Sequence, residues 1–342
     1  MKKILKRILL ALGIAVLALG IAAGVVFLVP VPKMNSLDKT YSFTPELVPT
    51  VAARGVKTAE RLHFLNTGNS DCILIESNGQ FALVDSGEDT DNVRGLPGLE
   101  LEGFEQRVID YLRKVAGDAQ GNVTLEWVLG THTHSDHIGG FDSIINAPGF
   151  TVKQAFLGKY EEQYISEYEI REWDNKEVYE QMLAACAAKN VPVVSEIPGH
   201  PWEFGDFTVQ FFNTKRITDK RVGENENAVG TKLTVGGQTA FLAADINNLQ
   251  GAEKTIAPEI GKVDLLKVGH HGHPLSTTLA FAHTLNPDVS IVTNGSAKNV
   301  NPLAKFNLCV LTNSPIYSTG DHNGIIATFG EEKLELTDGL HS

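Results

Sequence analysis

Residues 132–137 read His-Thr-His-Ser-Asp-His and follow the apolar run Trp127-Val128-Leu129. Four side chains able to hold a metal within six positions restrict this chain more than any other feature. The pattern predicts a strand over 124–129 that empties directly into a loop, which Gly139 and Gly140 let turn tightly into a helix. Imidazole nitrogen and carboxylate oxygen suit Zn²⁺ and related first-row ions. A loop can converge alternate side chains on one ion while the adjacent pair faces a second. A chance grouping of polar loop residues is the bland alternative. Eleven histidines in 342 residues make this spacing rare by chance.

Lys2, Lys3, Lys6 and Arg7 precede residues 8–29, which carry no charge. At about 1.5 Å per residue this stretch is long enough to span a bilayer. The apolar region of a cleaved signal peptide is usually shorter, Ala22-Ala23-Gly24 is a poor cleavage site, and no Cys stands nearby for lipoprotein processing. The expectation is a single-pass signal anchor over 1–30 with the cationic end inside. A spacer over 31–59, rich in proline, and a folded domain over 60–342 would then lie outside the cytoplasm. Cleavage would release the same domain as a secreted protein. With four of the 29 Lys and Arg before residue 8, the remainder sets 25 against 41 Asp and Glu, a formal charge of -16. No basic stripe is present, so strong nonspecific nucleic-acid binding is not expected. Cys72, Cys186 and Cys309 are too few and too far apart for a disulfide framework, though one bridge among them stays open.

The hydrophobic pattern continues as strands interspersed with helices. Residues 62–65 and 72–75 form a hairpin-like pair, and 81–84 a further strand ending at Asp85. Helices are expected over 104–115, 175–189 and near 277–284. Strands are expected over 202–204, 207–212, 232–235, 239–243, 264–268, 289–293, 309–311 and 324–329. The Tyr- and Glu-rich segment 160–173 has no period that places it.

At these residues a resemblance can be named. His-x-His-x-Asp-His after a buried strand resembles the signature of the metallo-β-lactamase superfamily. Phe64-Leu-Asn-Thr-Gly-Asn-Ser-Asp71, Leu265-Leu-Lys-Val-Gly-His-His-Gly272 and Tyr317-Ser-Thr-Gly-Asp-His-Asn-Gly-Ile-Ile326 resemble segments of its branch similar to the competence protein ComEC. The match spans about residues 60 to 330. It implies an α/β fold, the αββα metallo-β-lactamase sandwich, preceded here by one transmembrane helix, with two divalent ions at one edge. Zinc is the expected metal and manganese the alternative.

Position by position, the resemblance gives His132 and His134 to one ion, Asp136 and His137 to the other, and Asp245 to both. Ala244 stands where the family has Gly. One member of His270-His271 completes the second site; the order is open, and His270 is assigned as ligand with His271 as a catalytic or substrate contact beside Asp136. The first site lacks a third histidine at ordinary spacing. His200 and Asn227 are the candidates there, and His273 and His322 are further substrate contacts. Asp71 and Asp85 belong to the pocket loops. The branch's Tyr-Gly-His-Pro is Asn299-Val-Asn-Pro302 here, and its Ser after His-His-Gly is His273.

The resemblance implies a hydrolase that activates water between two ions. Its branch is associated with phosphodiester cleavage, including DNA strand degradation and phosphorylcholine removal from surface polymers. The expected partner is therefore a phosphodiester-containing extracellular or cell-wall substrate, met by a protein held to the membrane through its N-terminal helix. Acyl chemistry on lactones or β-lactams is the second reading. Non-catalytic surface binding is the third, disfavoured because six expected ligand positions are intact. Without a polytopic apolar region, DNA import by this chain alone is not expected.

Overall fold

The computed structural model describes residues 2–37, 44–45, 60–90, 102–331 and 333–338. Two sheets stack face to face with helices on both outer surfaces. Among the described residues the first sheet has the strand order Thr44–Pro45, Leu334–Asp338, Ile325–Phe329, Glu60–Phe64, Ile73–Ser77, Gln80–Val84, Trp127–Gly130, Ala155–Leu157, Val193–Val194. The second runs Trp202–Phe204, Phe207–Phe212, Gly230–Val235, Gln238–Leu242, Leu265–Lys267, Val289–Val292, Ile316–Ser318. This is the αββα sandwich.

The layering follows from strands that are apolar on both faces rather than alternating. In Ile73–Ser77, Ile73 and Ile75 point between the sheets, and Leu74 points outward. Ala82, Val84 and Leu129 likewise face Leu242, Leu265 and Ile291 across the central layer. Phe81, Leu83 and Val128 instead meet the helices Glu105–Ala116, Phe141–Asn146 and Asn175–Lys189. On the far side Phe241, Leu266 and Val292 pack under Ala252–Ile260, Leu279–Leu285 and Pro302–Lys305.

Gln80–Val84, Trp127–Gly130 and Ala155–Leu157 are parallel, as are Gln238–Leu242, Leu265–Lys267, Val289–Val292 and Ile316–Ser318. Their C-terminal ends therefore come out along one edge, where the loops that carry chemistry are collected. Gly130 shows how tightly that edge is built. A Cβ there would lie 2.8 Å from both Ile138 Cγ2 and Leu157 Cδ1, so a larger residue requires these buried side chains to shift.

The expected helix over 175–189 forms as Asn175–Lys189, and the unplaced segment contains a short helix, Glu167–Glu172. One expectation is overturned. Residues 309–311 are not a strand: they end a helical stretch that starts at Pro302, capped by the Asn301 carboxamide, and continues as the wider turn Phe306–Leu311. Its apolar residues are there to bury Leu308 and Cys309 against the second sheet's outer face, and the edge strand falls at Ile316–Ser318 instead. All three cysteines are buried and free.

Lys2–Leu28 is one helix of 27 residues, and apolar side chains along it such as Ile8, Leu17 and Leu28 are exposed. At about 40 Å it exceeds the hydrocarbon thickness of a bilayer, and its length and composition allow it to cross one. The expected spacer begins as a second helix, Pro30–Leu37, whose Met34 and Leu37 pack on the helical layer of the second sheet. Thr44–Pro45 pairs in parallel with Thr337 and Asp338. The remainder of the expected spacer lies outside the described residues.

The central layer is closed by an aromatic box around Trp127, with the rings of Phe204, Phe211, Trp202 and Phe156 at 5.5, 5.8, 6.1 and 6.2 Å. Trp127→Ala is expected to cost about 3–5 kcal/mol, read as a lower guanidinium midpoint at unchanged slope; a loss below about 1 kcal/mol contradicts this packing.

Candidate metal centre

Each side chain of the centre is delivered by the end of a strand. Asp85 follows Gln80–Val84, His132 follows Trp127–Gly130, Asp245 follows Gln238–Leu242, and Thr293 follows Val289–Val292. His134 caps the single helical turn Ser135–Ile138, which carries Asp136 and His137. Backbone bonds from Asp71 N to Asp136 O, Ser86 N to His137 O and Val229 N to Thr131 O tie this turn to its neighbours.

Among the described residues three groups of donors form: Asp71, Asp85 and His137 make up one, and two more share Asp245. Of these two, His132, His134 and Asp245 make the first; Asp136, His137, Asp245 and His271 make the second. In the second, His137 Nε2 lies 3.2 Å from His271 Nε2 and 3.2 Å from Asp245 Oδ1, and His271 Nε2 lies 3.3 Å from Asp136 Oδ2 and 3.4 Å from Asp245 Oδ1. In the first, His132 Nε2 and His134 Nδ1 are 3.1 Å apart. Ligands placed about 2.0–2.1 Å from one zinc at tetrahedral angles stand roughly 3.3 Å from each other. The donors thus sit at the edges of coordination polyhedra. Asp245 is buried and common to both groups, the place a bridging carboxylate would take.

The nitrogens facing away from the groups are all held. His137 Nδ1 donates to Asp85 Oδ2 at 2.7 Å, His271 Nδ1 to the Thr293 carbonyl at 3.0 Å, and His132 Nδ1 to Thr131 Oγ1 at 3.1 Å. Thr131 is itself fixed by Asp85 through its amide and hydroxyl. Such bonds select the tautomer that aims the remaining lone pair at an ion.

Electrostatics point the same way. Burial presses the His137 imidazole down, but Asp245, Asp85 and Asp136 outweigh it and hold it well above its ordinary range. The same contest, led by burial and reversed by Asp245 and Asp136, raises His271 to about 9. Burial would lift Asp245, yet His271, His137 and His270 keep it well below the usual carboxylate range. His132, buried beside His137 and His134, is pushed far down. The second group therefore stabilises positive charge, and an ion must displace protons from it.

The model of the metallo-beta-lactamase superfamily matches residues 65–154, which include the signature turn. The chain carries a metallo-β-lactamase domain. The domain is 24% identical over 232 residues to Recombination protein 2 of Haemophilus influenzae, covering 68% of this chain and 24% of that protein. It is 26% identical over 179 residues to ComE operon protein 3 of Bacillus subtilis, covering 52% and 21%. The chain thus spans about a quarter or less of the length of these competence-type relatives. Among solved structures, the metallo-beta-lactamase fold protein YhfI of Bacillus subtilis has 14% identity and a TM-score of 0.48, over 79% of this chain and 99% of that one.

Within this metallo-β-lactamase domain the histidine pair is exchanged relative to the sequence reading. His270 and His271 both have positive φ, 50° and 49°, and this double left-handed turn swings His271 inward and leaves His270 at the rim. His270 Nε2 accepts from Asn225 Nδ2 at 3.1 Å and stays 3.8 Å from Asp245. His200 is exposed and joins neither group. Asn227 is turned away, its carboxamide oxygen accepting from Ile217 N at 2.9 Å. His273 bonds Asn69 and His322 bonds Asp338, both outside the groups. Asp71 stands behind the ligands, paired with Lys267 at 2.5 Å and with His271 at 3.5 Å.

Glu169, Lys267, Thr131 and Thr293 are absent from the sequence reading. For Glu169 a signal exists: Ser166-Glu-Tyr-Glu169 is a helix-starting Ser-x-x-Glu, and Ser166 Oγ accepts from Glu169 N.

His271→Ala is expected to remove one ion and His270→Ala neither, measured as metal per chain after dialysis; the reverse result restores the sequence assignment. Because His271 is held to about 9, the affinity of the second group should rise with pH up to that value. The gain is about tenfold per unit for each proton displaced, measurable by competition with a chromophoric chelator.

Proposed function

We propose that this chain is a membrane-anchored, exported phosphodiesterase that uses two divalent ions, zinc by preference, on a phosphodiester-containing extracellular or cell-wall substrate. The observation that carries the reading is the buried Asp245 carboxylate common to two groups of metal donors. When bound there, ions of this kind supply electrophilic charge and acidify water. His132 and His134 would hold one, and His137, His271 and Asp136 the other, with Asp245 between them.

The protein's own groups divide the remaining work. Asp136 is the member of the second group with solvent access, its side chain 13% exposed, so it can take a proton from attacking water and pass it outward. His270 sits at the rim with an unpartnered, buried Nδ1. Burial holds it down at about 4, so near neutrality it is an uncharged donor that orients a substrate oxygen rather than a proton source. The formal charge of -16 outside the N-terminal segment, counted from 29 − 4 cations against 41 acids, supports small or polymer-borne phosphodiesters over broad nucleic-acid binding. The apolar helix Lys2–Leu28 after a basic start supports anchoring with the domain outside.

Purified chain in detergent should turn over bis-p-nitrophenyl phosphate or p-nitrophenylphosphorylcholine, lose this with chelator, and regain it with zinc or manganese. Asp136→Ala should lower kcat by about 10²–10⁴-fold. Turnover of nitrocefin or a lactone with no phosphodiester cleaved would overturn the proposal in favour of acyl chemistry. Metal loading with no turnover of any of these would favour a binding protein. Export is tested separately: protease added to intact cells should digest the domain, and full protection contradicts the orientation.

A further inference from the structure

The outer nitrogen of His134 is met by a side chain from a short helix rather than from a sheet edge. His134 Nδ1 faces His132, so Nε2 points to the opposite side of the ring, and there it meets Glu169 Oε2 at 3.4 Å. The two nitrogens of an imidazole diverge. A carboxylate on Nε2 therefore cannot share an ion with Nδ1, and Glu169 is not a ligand of the first group. We infer that Glu169 is a positioning residue that fixes the His134 tautomer, so that the helix Glu167–Glu172 controls the affinity of the His132–His134 metal site. The inference rests on reading His132 and His134 as ligands of one ion.

Three observations carry it. Glu169 is locked before it reaches the histidine: its carboxylate accepts from Asn175 Nδ2 at 3.0 Å and from the Glu224 amide at 3.0 Å. An acceptor fixed in this way selects the Nε2–H form and keeps Nδ1 free. The histidine ring is clamped on a second side, since Trp173, just past the end of the same short helix, lies 4.3 Å from it centre to centre. Finally, the first group has only two histidines and the shared Asp245, so any loss of aim at His134 removes a third of its protein ligands. Asp85 is the matching carboxylate of the second group, but it lies on the sheet edge itself. Glu169 lies on an appended helix, so helix docking and occupancy of the first site must favour each other reciprocally.

The test is a zinc titration of the detergent-solubilised full chain against a chromophoric chelator, with limited proteolysis of the 160–174 segment read in parallel. In Glu169→Ala one of the two binding steps should weaken by about 10–100-fold while the other stays at the wild-type value. Zinc should also protect the segment less from cleavage. Glu169→Gln, which retains an acceptor oxygen, should recover part of the affinity. Glu167→Ala, an exposed change on the same helix, should match wild type. The inference is overturned if Glu169→Ala and Glu169→Gln titrate like wild type, or if both steps weaken together as in a damaged fold. No substrate enters these measurements, so an absence of phosphodiester turnover leaves them readable and the two readings fail separately.

Discussion

Everything at the candidate metal centre is arranged around one buried carboxylate. Asp245 is almost fully enclosed, and an uncompensated ion in that position costs several kcal/mol. The protein answers with histidines from two directions and with Lys267, itself fully buried and 3.8 Å away. Lys267 does more than neutralise. Its ammonium donates to the Ala244 carbonyl at 3.0 Å and pairs with Asp71, holding the turn on which Asp245 stands. That turn needs the help, because Ala244 has φ 46°, a left-handed conformation that costs a residue bearing a Cβ. The His270 amide donates to the same carbonyl at 2.9 Å, so the two segments that supply Asp245 and His271 share one anchor.

Parts of this were legible in the amino-acid order and parts were not, for physical reasons. His132, His134, Asp136 and His137 could be read because a strand end followed by one helical turn fixes their relative positions through local geometry alone. The layered fold could be read because runs such as Ile73-Leu74-Ile75 and Ala240-Phe241-Leu242 are apolar on both faces, which a sheet covered on both sides tolerates. The choice between His270 and His271 could not, since it is decided by two successive positive φ values that no side-chain pattern encodes. The apolar run at Leu308, Cys309 and Val310 was ambiguous as to period, and its capping Asn301-Pro302 was the stronger cue. Glu169 hid in a segment whose tyrosines and glutamates follow no period.

The division of labour between carboxylates is set by what surrounds each. Asp245 faces histidines and a lysine and stays ionised. Burial pushes Asp85 up even though His137 and the Thr131 amide pull it back. Glu169, drawn down by His134 and by the Glu224 amide against its burial, is kept charged where it can polarise a ring. Their immediate neighbours thus draw Asp245 and Glu169 down and leave Asp85 raised, with one placed as a shared ligand and two as fixed supports.

The two donor groups draw on both halves of the sandwich: His132, His134, Asp136 and His137 belong to the first sheet's edge, Asp245 and His271 to the second's. An ion held there is a rivet as well as a reagent. It bolts together two sheets that otherwise adhere through the apolar layer between them, so loading with metal and cohesion of the two halves become one equilibrium. A chain starved of metal presents at that seam several acidic groups facing one another across the joint. Its durability would then be governed by how fast it surrenders its ions to competing chelators.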